Sequence, residues 1–364
     1  MNRYAPLLLL LAACCSSAAA AQNAARTPES IAEIRRRAEQ GAARAQNNLG
    51  LMYAKGEGVA ESDAEAVKWF RLAAAQGYAA AQNNLGSMYV NGEGVAENDA
   101  EALKWFRLAA DQGYAAAQNN LGLMYAKGEG VSENDAEAVK WYRLAAEQGN
   151  AIAQTNLGSM YAKGEGVAKN DAEAVKWFRL AAAQGYADAQ HNLGVVYDNG
   201  DGVAENDAEA LKWFRLAAAQ GNAAAQTNLG SMYVNGEGVA ENDAEALKWF
   251  RLAADQGDAF AQANLGWMYD NGEGVSENDA EALKWYRLAA DQGVADAQFS
   301  LGVKYADGEG VPKSIAEAYF WWNLAAAQGV AEAKNNRDIV EKEMTREQIA
   351  EAQRRSAAWK PKKQ

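Results

Sequence analysis

The chain has 364 residues, 49% hydrophobic and 23% charged, with a net charge of −13 at pH 7. The first two figures exclude a disordered polymer, and a surface this acidic repels phosphate backbones, so nucleic acid is not an expected partner. Scattered acidity also serves plain solubility.

The chain opens with MNRYAPLLLLLAACCSSAAAAQ, in which Arg3 precedes an apolar run from Tyr4 to Ala13 and a tail of small residues follows. The run is too short to cross about 30 Å of hydrocarbon and reads as an export signal. Two processing sites are open. Ala19-Ala20-Ala21 before Gln22 fits an ordinary signal peptidase and gives a signal of 1–21. Leu11-Ala12-Ala13-Cys14 resembles a bacterial lipobox and gives a signal of 1–13 with Cys14 lipidated. The first predicts a periplasmic or secreted protein, the second an outer-membrane lipoprotein whose only membrane contact is its lipid. Cys14 and Cys15 are the only cysteines, so packing rather than disulfides must hold the rest together. Residues 22–41 are expected to carry an N-terminal capping helix over 28–40. Thr27-Pro28 starts it, and Ile31, Ile34 and Ala38 turn inward.

From there the sequence repeats. Gly41 and Gly77, and each corresponding glycine to Gly329, stand 36 residues apart, as do the tryptophans from Trp69 to Trp321. This delimits eight units without gaps: 42–77, 78–113, 114–149, 150–185, 186–221, 222–257, 258–293 and 294–329. In the second unit, Ala81, Leu85, Met88 and Tyr89 fall on one helical face, and so do Ala102, Trp105, Phe106, Ala109 and Ala110. Lys104, Arg107 and Asp111 form a narrow polar wedge opposite the second set. Gly86 lies inside the first helix, where glycine costs about 1 kcal/mol, and its recurrence predicts another helix backbone passing close. Gly113 is placed as a left-handed C′ residue.

The unit pattern A-x-A-Q-x-N-L-G-x-M-Y-x-x-G-x-G-V…A-E-A-x-K-W-[FY]-R-L-A-A-x-Q-G resembles the Sel1-like repeat, a relative of the tetratricopeptide repeat, over residues 42–329. The resemblance implies an all-α protein: an α/α solenoid superhelix of eight 36-residue helix-turn-helix repeats between N- and C-terminal capping helices. It also implies a scaffold or adaptor that binds protein partners. Residues 330–364 are assigned to C-terminal capping helices and a basic tail. There Thr345 and Gln348 form a capping box for a helix to about Trp359, and WKPKKQ is expected to fray.

The acidic loop YDNGDGVAENDAEA (197–210) invites comparison with a calcium loop. From Asp198, however, positions 3 and 5 are Gly200 and Gly202, and the equivalent slot in 53–66 carries Lys55. The acids fit a structural role instead. Ser62, Asn98 and their equivalents to Ser314 read as helix N-caps, each with a Glu three residues on as a capping-box partner. No metal or cofactor is assigned. His191 is the single histidine, at a variable surface position, so no catalytic system or zinc site is assigned either. Some cysteine-rich members of the resembled family are associated with penicillin binding and β-lactamase activity. This chain lacks S-x-x-K, S-D-N, K-T-G and the repeat cysteines, so an enzyme is not expected.

Function is sought where the units disagree. The variable positions of the first helix, those of Ala80, Asn83, Ser87 and Asn91, lie within about 80° of one another, on the side that lines the concave groove in the resembled solenoids. Most are small or polar, but the seventh unit places Phe260 and Trp267 there, and the eighth adds Phe299 and Val303. Asp188, His191, Asp296 and Asp307 supply a candidate polar rim. Two accounts are open: an anchor for a protein, peptide or envelope glycan, or an apolar patch covered by the C-terminal cap.

Overall fold

The computed structural model describes residues 30–362. The export signal, Cys14 and Thr27-Pro28 lie outside the described residues. Among those described there are nineteen α-helices and one 3-10 turn, with no strand. Contacts divide the chain into two compact units. One runs to Ala153 and includes Glu165–Val167; the other comprises Gln154–Gly164 and the residues from Ala168 onward. Each unit is an α/α solenoid of stacked helix pairs. The first helices of the repeats (A helices) are Ala43–Lys55, Ala79–Asn91, Ala115–Lys127, Ala151–Lys163, Ala187–Asn199, Ala223–Asn235, Ala259–Asn271 and Ala295–Asp307. The second (B helices) are Asp63–Ala75, Asp99–Asp111, Asp135–Glu147, Asp171–Ala183, Asp207–Ala219, Asp243–Asp255, Asp279–Asp291 and Ile315–Ala327. Ala81, Leu85, Met88, Ala102, Phe106, Ala109 and Ala110 are buried as the apolar spacing requires.

Gly86 makes room for a side chain rather than for a backbone. A Cβ at that position would lie 2.6 Å from Cε1 of Phe106, so the A helix presses its bare backbone against an aromatic ring of its own B helix. The close backbone approach comes one loop later, at the second glycine of G-E-G. Gly94 has φ 65°, and a Cβ there would stand 2.3 Å from the carbonyl carbon of Asp63 in the preceding repeat. The B helix ends in a Schellman motif: Gly113 at φ 84° donates to the Ala110 carbonyl, and Tyr114 donates to Ala109.

The N-caps form only half of the expected box. Asn98 Oδ1 accepts from the Glu101 N–H at 3.1 Å, but the Asn98 N–H is already committed to the Tyr89 carbonyl at 2.9 Å. With no donor left to meet, the Glu101 carboxylate pairs with Lys104 at 3.5 Å. The complete box forms where no A helix precedes it so closely, between Thr345 and Gln348.

Polar side chains shared by the units tie successive repeats together. Gln82 is buried; its Nε2 donates to the Ala74 carbonyl of the preceding B helix, and its Oε1 accepts from Gln112 at the end of its own. Arg71 stacks over the Tyr89 ring of the next repeat and donates to its hydroxyl at 3.0 Å. Arg107 likewise bonds Tyr125, so it belongs to an inter-repeat contact as well as to the polar wedge. The indole N–H of all eight repeat tryptophans is buried without an acceptor, which nothing in the structure explains.

At the N-terminus, Ser30 caps the helix Ile31–Glu39 and Ala38 is buried, while Ile31 stays exposed rather than turning inward. At the other end Tyr319, Phe320, Trp321 and Trp322 are all buried. The last helix, Arg346–Ala358, docks on this B helix through Arg355 to Glu317, Gln353 to Tyr319 and Asn323 to Ser356. The tail is fastened instead of frayed as far as it is described: Lys362 donates from its backbone to the Asp291 carbonyl and from Nζ to the Asp291 carboxylate. Among the described residues no helix is long and apolar enough to cross a membrane.

Candidate interaction face

The four variable columns do not share one exposure. The column of Asn83 is largely buried, with Asn47, Asn83, Asn119, Thr155 and Thr227 all enclosed. Its polar side chains reach the following repeat: Asn84 Nδ2 donates to Asn47 Oδ1 and Asn120 Nδ2 to Asn83 Oδ1, both at 3.0 Å, and Thr227 Oγ1 donates to Asp258 Oδ1 at the same distance. The column is therefore an inter-repeat ladder and not an open surface.

His191 occupies a rung of it. Its Nε2 lies 3.2 Å from Asn228 Nδ2, and its ring tilts against Phe214 with centroids 5.8 Å apart. It is half-buried rather than a surface histidine. Burial pushes its pKa below the ordinary value, and the Asn192 hydrogen bond with the charges of Asp188 and Asp258 only partly offsets this. Asp188 is exposed and accepts from Asn222 at 2.9 Å.

The columns of Ala80, Ser87 and Asn91 reach solvent. Small clefts open between neighbouring A helices beside two serines of the third column, about 160 Å³ at Ser87 and about 220 Å³ at Ser159. In the seventh repeat the same face carries Phe260 at 67% exposure and Trp267 at 41%. The C-terminal helices pack on Ile315–Ala327 and leave both rings open. Phe299 and Val303 are half-buried, Phe299 lending its carbonyl to Trp322 Nε1 at 3.1 Å. Asp296 and Asp307 are exposed at opposite ends of the same A helix.

The sequence reading missed Lys304. Its column otherwise holds Met52, Met88, Met124, Met160, Val196, Met232 and Met268, and its side chain is only 5% exposed. The ammonium binds Asp270, with Asp279 and Glu309 each at 2.8 Å. Burial opposes its charge, but hydrogen bonds to the three carboxylates outweigh burial and raise its pKa. Those three acids form the one group among the described residues close enough to share a cation, and a lysine already fills that role. The signal was available in sequence, since Asp270 and Lys304 both break small or apolar columns one repeat apart.

The Sel1 repeat family model matches residues 43–78, 79–114, 115–150, 151–186, 187–222, 223–258, 259–294 and 295–330, one residue out of phase with the units drawn from sequence. A Sel1 repeat protein from Oxalobacter formigenes is 34% identical, with 84% of this chain and 88% of that one covered and a TM-score of 0.60. The protective antigen c5321 of uropathogenic Escherichia coli, which displays an SLR fold, is also 34% identical, over 90% of this chain and 86% of its own, with a TM-score of 0.48. No curated protein matches the chain. Eight contiguous family matches on a stack of helix pairs, with a relative of this similarity along most of the length, place the chain in the Sel1 repeat family.

Proposed function

We propose that the protein is an exported, non-catalytic scaffold or adaptor that holds a protein partner on the variable face of its A helices. Sel1 repeats typically mediate protein–protein interaction. The observation that carries this reading is the exposure of Phe260 and Trp267, seven residues apart on one helix whose other large side chains are packed. Two aromatic rings left open on one helix face, two turns apart, are a common anchor for a partner. The shared residues are occupied in the framework: Gln82 and Arg71 link repeats, Asn98 caps, and Gly86 receives a ring. Export rests on the leader sequence and its processing site.

A photo-crosslinking residue at position 267, in the cells that make the protein, tests the reading. A discrete adduct that competes away with excess native protein, and not with Trp267→Ala, is the expected result. Absence of any adduct there, with adducts from a control position on the B helices, would reject the face. Nitrocefin turnover or capture of labelled penicillin would reject the non-catalytic part, and retention in the cytosol the export part.

A further inference from the structure

The charge around the aromatic face points to the chemistry of its occupant. Along the face in the seventh and eighth repeats and the helix after them, the apolar positions are Phe260, Trp267, Phe299, Val303 and the 57%-exposed Ile339. Acids stand at both ends of this strip. Asp296 and Glu332 lie near the start of their helices, and Asp307 closes the helix Ala295–Asp307 about 16 Å from Asp296 at 1.5 Å per residue. All three are exposed. No lysine or arginine occupies the variable columns here, because Lys304 points into the repeat junction and is spent on Asp270, Asp279 and Glu309. The first unit differs: its columns carry Arg44 and Lys55.

We infer that the segment held on this face is a cationic stretch of another protein, with lysine or arginine residues flanking aromatic or aliphatic side chains. The inference rests on the interaction reading above and deepens it. Apolar side chains of such a segment cover Trp267, Phe260 and Val303, while its cations meet Asp296, Glu332 and Asp307. An arginine can also stack on the open face of Trp267. An acidic segment would place like charges together at both ends of the strip, and like-charge pairing disfavours a partner.

A random peptide library selected on the full chain, with parallel selection on Trp267→Ala, provides the test. Phe260 and Trp267 are exposed, and so are the acids, so Trp267→Ala and the double variant Asp296→Asn/Asp307→Asn should keep the circular dichroism and melting of the parent. Peptides enriched in a Trp267-dependent way should carry an excess of lysine and arginine beside apolar residues. Their affinity should fall about tenfold in the double variant and weaken with added salt. Trp267-dependent peptides that are neutral or acidic, or whose binding ignores the double variant, overturn the charge inference while leaving the interaction face standing. Failure to enrich any Trp267-dependent peptide overturns both.

Discussion

Lys304 and Asp270 meet across the junction of the seventh and eighth repeats, at positions where most other junctions place methionine against alanine or valine. The pair marks a local exchange of apolar packing for charge. Lys304→Met alone restores the usual column but strands Asp270 beside Asp279 with its cation removed. It should destabilise the second unit by about 2–3 kcal/mol, since losing one partner of a buried pair leaves the other uncompensated. The double variant Lys304→Met/Asp270→Ala recreates the Met88/Ala54 arrangement and should recover stability to within about 1 kcal/mol. Denaturant unfolding of the three proteins measures this, and equal losses in single and double variants would refute the coupling.

Asp198 is the same aspartate two repeats earlier, but the position of Lys304 is there held by Met232. Burial raises the Asp198 pKa, and the charges of Glu237, Asp207 and Glu205 raise it further. The native state therefore binds this proton more tightly than the unfolded chain. The resulting penalty is full above the raised pKa, shrinks as pH falls through it, and is gone below the ordinary carboxylate value. Asp198→Ala should raise the melting temperature at neutral pH and lose that advantage on acidification. Met232→Lys should also stabilise at neutral pH, by transplanting the cation of the eighth repeat. A pH-independent effect of Asp198→Ala would count against the linkage.

The period of glycine and tryptophan made the helix pairs, loops and C′ glycines readable, because a packing problem solved once is solved eight times. What each invariant side chain does was less legible. Gly86 advertised a close approach, but spacing alone did not separate a backbone from the ring of Phe106. Asn98 and Glu101 looked like a full box because the sequence did not show the Asn98 N–H bonded to Tyr89. The exposed aromatics of the candidate face stood out as departures from their columns, whereas the Asn83 column looked equally variable and proved buried. Lys304 was passed over because its column was read as core.

Gly86→Ala separates helix propensity from packing. In an unconstrained helix interior the change gains about 1 kcal/mol. Here the new methyl meets the Phe106 ring at 2.6 Å, within a helix pair that is closed on both sides. Overpacking of this kind costs about 1–3 kcal/mol, so the variant should be less stable than the parent. Phe106→Leu should reduce the penalty when combined with it, making the pair less than additive in a double-mutant cycle. A stabilised Gly86→Ala would mean that the B helix shifts freely.

His191 should make the second unit sensitive to mild acid. The other complete rungs carry amide pairs such as Asn84 to Asn47, which do not titrate, whereas Asn228 Nδ2 donates to a ring nitrogen that must be unprotonated to accept. Burial lowers the His191 pKa below its ordinary value, against the opposing Asn192 hydrogen bond and the charges of Asp188 and Asp258. The unfolded chain then takes up the proton first as pH falls. Stability is fully present above the ordinary histidine value near 6.5 and is lost progressively below it, until the lowered native pKa is passed. His191→Asn supplies the amide rung of the first repeats and should flatten the stability profile between neutral pH and the onset of carboxylate titration. Thermal melts of parent and variant across that interval give the comparison. Parallel profiles would show that the histidine titrates alike in the folded and unfolded states, which would refute the linkage.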